Sequence, residues 1–141
     1  MRGKKVNGRK RHMLVDTMGN LLRIVVHAAD VQDRDGAKLV VAGTTEAFPR
    51  LTLIWADAAY RGALEGWVRA TIGCTLEIVS KLANQVGFVV QPKRWIVERS
   101  FGWFGRHRRL SKDYEYHERC SESMLYLASI NRMTRNLAKP V

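Results

Sequence analysis

Residues 51–57, Leu-Thr-Leu-Ile-Trp-Ala-Asp, run almost unbroken in apolar character and end on an acid. A continuous apolar run of this length predicts a strand buried on both faces, in the middle of a sheet. The segments around it alternate in period. Residues 12–16 form a short apolar run, Thr17-Met-Gly-Asn20 is a turn signal, and residues 21–29 are β-rich again, so the pair predicts a hairpin. Residues 30–42 predict a helix, with Asp30 as N-cap and residues 39–42 as its buried face. Residues 60–71 predict a second helix with Leu64, Trp67 and Val68 on one side. Residues 74–80 alternate like a strand, and 81–92 form a loop. Helices follow over 94–110 and 120–137, the last with Met124, Leu127, Ile130 or Asn131, and Met133 or Thr134 at helical spacing. The order predicts an α/β sheet of mixed strand direction.

The 141 residues suffice for one domain with a core, and 46% of them are apolar, which excludes a disordered chain. The net charge of +11 is concentrated. Residues 1–12 hold six basic residues and no acid, and 93–112 hold seven against Glu98 alone. Between them lies a body with seven basic and eight acidic residues. Clustering of this kind fits a polyanionic partner better than a general solubility charge does. Cys74 and Cys120 stand alone, so a zinc site or disulfide framework is not expected, and reduced thiols are. Neither a membrane span nor a signal peptide is expected.

A lone acid in a basic helix needs a reason. Phosphoryl chemistry on a polyanion offers one, because carboxylates hold the divalent cations. Asp57 is the candidate partner, at the carboxyl end of the buried strand, where open α/β sheets bind ligands. At 100° per residue, Arg94, Gly102, Gly105 and Arg109 fall on the Glu98 side of the helix. Ile96, Trp103 and Leu110 fall on the other. Each glycine costs about 1 kcal/mol relative to Ala, which is understandable if a DNA backbone must come close. The plainer alternatives are that Asp57 caps the next turn and that Glu98 pairs with Arg94, worth a few tenths of a kcal/mol.

Three strings carry a resemblance: Asp57-Ala-Ala-Tyr-Arg-Gly62, Arg94-Trp-Ile-Val-Glu-Arg-Ser-Phe101 and Arg108-Arg-Leu-Ser-Lys-Asp-Tyr-Glu115. With Gly8-Arg-Lys-Arg-His12, Val15-Asp-Thr17 and Val26-His-Ala-Ala-Asp-Val-Gln-Asp33, they resemble insertion-sequence transposases of the DDE type, most closely the insertion-sequence-five group. The resemblance implies an RNase H-like mixed sheet flanked by helices. It also implies three carboxylates holding Mg²⁺ or Mn²⁺, with Asp57 second and Glu98 third. The family's Tyr-Arg-Glu-Lys signature meets Arg94 and Glu98 but departs at Gln91 and Gly105, with Arg106 adjacent. The first Asp belongs to a first strand that precedes the basic segment. The expectation is therefore an N-terminally truncated domain, a basic arm at 1–12 and a partial catalytic domain at 13–141, lacking that strand. Asp16 reads as a turn acid, Asp33 and Asp35 as helix-start acids, and His12 and His27 as structural.

As implied partners, double-stranded DNA comes first, contacted by Arg9, Lys10, Arg11, Lys93, Arg94, Arg106, Arg108 and Arg109. An upstream polypeptide would supply the missing Asp, and the exposed strand edge predicts self-association. The implied setting is the bacterial cytoplasm, at the nucleoid. Strand cleavage and transfer are the implied reactions, with the chain inactive alone. The rival is a non-enzymatic basic DNA-binding module.

Overall fold

The computed structural model describes residues 8–79, 92–110 and 115–140, with the side chains of 92–98 and 109 outside that description. The expected loop at 81–92 therefore lies outside it, up to its last residue. Strands β1 (Arg9–Val15) and β2 (Leu21–Ala28) pair antiparallel, with Met13 opposite Ile24 and Arg11 opposite Val26. β1 begins at Arg9, so the hairpin reaches into the basic segment. Helix α1 (Asp33–Val41) and a single turn, α2 (Thr44–Ala47), lead to β3 (Leu53–Asp57). A 3₁₀ turn (Ala58–Tyr60) precedes α3 (Ala63–Ile72), and β4 (Thr75–Val79) pairs parallel with β3. Then come α4 (Pro92–Gly105), a 3₁₀ turn (Arg108–Leu110) and α5 (Glu118–Leu137). The element order and the mixed strand direction agree with the sequence. Among the described residues the strands form two sheets of two, β1–β2 and β3–β4.

Each sheet has its own apolar cluster. Leu21, Ile24 and Val26 of β2 pack with Phe104, Leu110, Leu125 and Ala128. Ile54 and Leu76 pack with Ala37, Val41, Leu64 and Val68, the last wholly buried. The expected inner face of α3 is thus the observed one, with Trp67 partly buried against it.

Several expectations shift. Helix α1 starts at Asp33, with Gln32 rather than Asp30 at its N-cap, and its two acids sit in the first turn. They favour the positive end of the helix dipole there. Leu39 is 50% exposed while Val40 and Val41 are buried. The inward face of α1 therefore includes Ala37, three and four residues before them. β3 is not buried on both faces: Leu53 and Trp55 are 38% and 37% exposed. Helices α1 and α3 cover only the face that Ile54 occupies. The helix expected over 94–110 stops at Gly105, and position 109 falls in the following 3₁₀ turn rather than on that helix. On α5 the buried residues are Ser121, Leu125, Ala128 and Ser129, whereas Leu127 and Ile130 are exposed.

The reason for that rotation is hydrogen bonding. The Ile24 amide donates to the Tyr126 hydroxyl at 3.0 Å, and the Val26 amide donates to the Glu122 carboxylate at 2.9 Å. These side chains close the outer edge of β2, and they set which face of α5 turns inward. Small serines let the helix lie close. Tyr126→Phe leaves the Ile24 amide without its partner and should cost about 1–2 kcal/mol. Urea denaturation checks this, and an unchanged midpoint would contradict the edge-closing role.

Candidate functional site

A cavity of about 230 Å³ lies between β1 and β3, with α1 along one side. Asp57, Tyr60 and Phe101 stand on its wall. Asp57 ends β3, and its Oδ1 accepts the Ala59 amide at 3.0 Å. The turn-capping role is therefore real, and the half-exposed carboxylate is oriented by it. Tyr60, one 3₁₀ turn further, has its hydroxyl pKa pushed up to about 12, chiefly by burial and then by the charges of Asp57 and Asp33. It stays protonated and bonds His12 Nδ1 at 2.8 Å, joining the end of β3 to β1.

His12 and His27 are each 6% exposed, and their rings stack with centroids 4.7 Å apart. The Ala28 carbonyl, 2.8 Å from His27 Nδ1, can only accept, so that nitrogen carries a proton. The Nε2 atoms of both rings lack a hydrogen-bond partner and converge on Gly36. A Cβ there would stand 2.4 Å from each, which explains why α1 carries a glycine in its first turns. Among the described residues no group of three or more His, Cys, Asp or Glu forms a metal cluster.

Asp16 is committed to the hairpin turn. Its Oδ1 accepts from the amides of Met18 and Asn20, each at 2.9 Å, and its Oδ2 from the Asn20 side chain at 3.1 Å. α4 and α5 hold this turn from outside. Ser100 Oγ donates to the Gly19 carbonyl at 2.8 Å, and Arg99 and Arg132 bond the carbonyls of Met18 and Gly19 at 3.0 and 3.1 Å. The two guanidiniums stack on Trp103, at 4.6 and 3.6 Å from the ring centroid. Gly19 takes φ +82° and has Ser100 close above its Cα, so no side chain fits. The sequence reading had no role for this grip; its visible signal is a tryptophan four residues after an arginine.

Helix α4, which carries position 98, lies against β1 and β3. The side chain of Glu98 lies outside the described residues, as do those of Lys93, Arg94 and Arg109. Gly102 and Gly105 are exposed, and a Cβ on either would meet nothing within 4 Å. That stretch of helix is open to a bulky neighbour.

The remaining basic candidates differ in engagement. Arg9 donates to the Glu115 carbonyl at 2.8 Å and to that of Tyr116. Lys10 donates to the Val31 carbonyl and pairs with Asp33 at 3.0 Å. Arg11 is half-buried beside the cavity, while Arg106 and Arg108 are exposed. Both cysteines are free thiols, Cys74 buried and Cys120 exposed. No helix of the described residues is long and apolar enough to cross a membrane.

Burial, and then the neighbouring His27, push the His12 pKa below its ordinary value. The unfolded chain thus binds more protons than the fold once the pH drops below about 6.5. The stability contributed is complete above that value and declines as the pH falls toward the folded pKa. Urea midpoints at pH 7.5 and 5.5 should show the loss, and His12→Gln should reduce it. Equal midpoints in the parent chain would contradict the assignment.

Family comparison matches residues 2–131 to the model described as Transposase DDE domain. Neither the curated proteins nor the solved structures contain a match to the chain.

Proposed function

We propose, for a chain that belongs to the Transposase DDE domain family, that Asp57 and Glu98 serve DNA strand cleavage and transfer as metal-holding carboxylates. The family gives DNA transposition as the process and DNA as the substrate. Domains of this family use divalent metal ions, and Mg²⁺ or Mn²⁺ is the ion proposed.

The observation that carries the reading is the position of Asp57. It ends a parallel strand, half-exposed on a cavity wall, with the helix of residue 98 packed against the same strand. A carboxylate is the oxygen donor a hard cation takes. Asp57 fits one such ligand, though the described residues hold no complete cluster. When bound, the ion would polarise a phosphate and neutralise its charge. The chain's own share is to fix Asp57 through the Ala59 amide, and to leave the helix open at Gly102 and Gly105 for the DNA backbone. Exposed Arg106 and Arg108, with Lys93, Arg94 and Arg109, would contact phosphates. Arg9 and Lys10 would do so with the part of their charge that their present partners leave unscreened.

The finer reading places the chain in the insertion-sequence-five group, with an RNase H-like sheet built around a catalytic domain at 13–141 and a basic arm before it. Its setting is the cytoplasm, at the nucleoid. Asp16 is occupied by its turn. On this reading Asp57 and Glu98 bind metal and DNA, and completing the reaction takes a third carboxylate in addition to them.

Fluorescence anisotropy with a labelled duplex tests this. Affinity should fall steeply between 50 and 200 mM salt, because phosphate contacts release counterions. Mn²⁺ should tighten binding several-fold over EDTA, and Asp57→Asn or Glu98→Gln should each remove that gain. If EDTA and both substitutions leave affinity unchanged, the non-enzymatic DNA-binding module is the correct reading.

A further inference from the structure

We propose that the outward face of α5 is a docking surface for α5 of a second copy of this chain, the two helices lying antiparallel. The inward side of α5 is fixed by Leu125 and Ala128, which are part of the core. At 100° per residue, Cys120, Ser123, Leu127, Ile130, Thr134 and Leu137 all fall within about 60° of the line opposite Leu125. All six are exposed. Leu127, Ile130 and Leu137 are so by 60%, 54% and 88%. The spacing alternates three and four residues from end to end, which is the a and d seam of a heptad repeat and packs against another helix. A helix that only covers its own core carries polar residues on this side. The seam also runs to Leu137, past residue 131, where the family match ends.

The seam carries no charge. Between Cys120 and Leu137 the charged residues of α5 are Glu122, Arg132 and Arg135. Glu122 accepts the Val26 amide and Arg132 donates to the Gly19 carbonyl, so both belong to the hairpin side. Arg135 stands about 100° from the middle of the seam. The two hydroxyls of the seam turn back into their own helix. Ser123 Oγ donates to the Arg119 carbonyl at 2.9 Å, and Thr134 Oγ1 donates to the Ile130 carbonyl at 2.8 Å. Both can leave water with their donors satisfied. On a chain of net charge +11, this strip lets two copies meet without setting like charges together.

Charge at the helix ends selects the orientation. A two-fold axis between Leu127 and Ile130 makes the strip complementary to itself, as a symmetric pair requires. Leu127 then meets Ile130 of the second copy, Ser123 meets Thr134, and Cys120 meets Leu137. Arg119 comes level with the last carbonyls of the other helix, the negative pole of its dipole, and Glu118 comes level with Lys139. A parallel pair would instead set Arg119 against Arg119 and align the two dipoles. The strip is about 26 Å long and about 10 Å wide, a few hundred Å² on each copy. That is well under the roughly 800 Å² per partner of a stable interface, so the pair is weak and forms at high micromolar concentration.

Sedimentation equilibrium on the full, reduced chain tests the surface. The mass should be that of a monomer at about 20 µM and move at least halfway to a dimer by about 1 mM. Leu127→Glu with Ile130→Glu should hold the chain monomeric at both concentrations. Orientation is read from Leu137→Cys, oxidised and mapped by mass spectrometry. The disulfide should join Cys120 to position 137. One helix holds those two positions about 26 Å apart, beyond the reach of a disulfide, so the link reports pairing between copies. Cys74 is buried and stays silent. Three outcomes overturn the proposal: a monomer at about 1 mM, a dimer that survives the double substitution, or a link that joins Cys120 mainly to Cys120, as parallel helices would give.

Discussion

Two side chains on one face of α5, Tyr126 and Glu122, take the outward amides of β2, and the layout of the molecule follows from that contact. A two-stranded hairpin is marginal in water unless something covers a face or an edge. Here α5 does both, because the residues that bond the edge flank the buried Leu125 and Ala128. With the outer edge of β2 closed, the other edge of the hairpin, on β1, is the one turned toward β3. The hairpin turn is fixed separately, by Arg99, Ser100 and Arg132 around Gly19. That grip ties α4 to the hairpin, and α4 also packs against β3, the strand that ends in Asp57.

Much of this was legible in the sequence because it is local. The hairpin follows from two β-rich runs around Gly19-Asn20, and α3 from Leu64 and Val68 one turn apart. The inner face of α5 was legible only in part. Met124 packs against the inner cluster as its spacing suggests, but Leu127 and Ile130 are exposed, and Ser121 and Ser129 turn inward on the helix whose Tyr126 and Glu122 bond the strand amides. Sequence periodicity weighs apolar area and does not register an edge that must be satisfied. The same limit affected β3. A run of apolar residues implies two covered faces only if the strands and helices to cover them are present, and α1 and α3 cover one.

Charge was read too simply as well. Arg9, Lys10, Arg99 and Arg132 all contribute to the net +11, yet each bonds a carbonyl within the fold. Arginine serves as a rigid multiple donor within a fold as readily as it serves phosphate. What the sequence located correctly is where Asp57 would sit, at the carboxyl end of a strand, because a strand that ends in an acid can be read from the chain alone. Its capping bond to Ala59 and its candidate role with a cation are compatible, since one carboxylate accepts several partners.

The central claim is that Asp57 and Glu98, distant in sequence, share one divalent ion. Paramagnetic broadening by Mn²⁺ tests it most directly. Substoichiometric Mn²⁺ added to the ¹⁵N-labelled chain should selectively broaden the amides of residues 57–60 and those flanking 98, and Asp57→Asn should abolish both effects together. Broadening confined to one of the two segments, or broadening that survives Asp57→Asn, would contradict it.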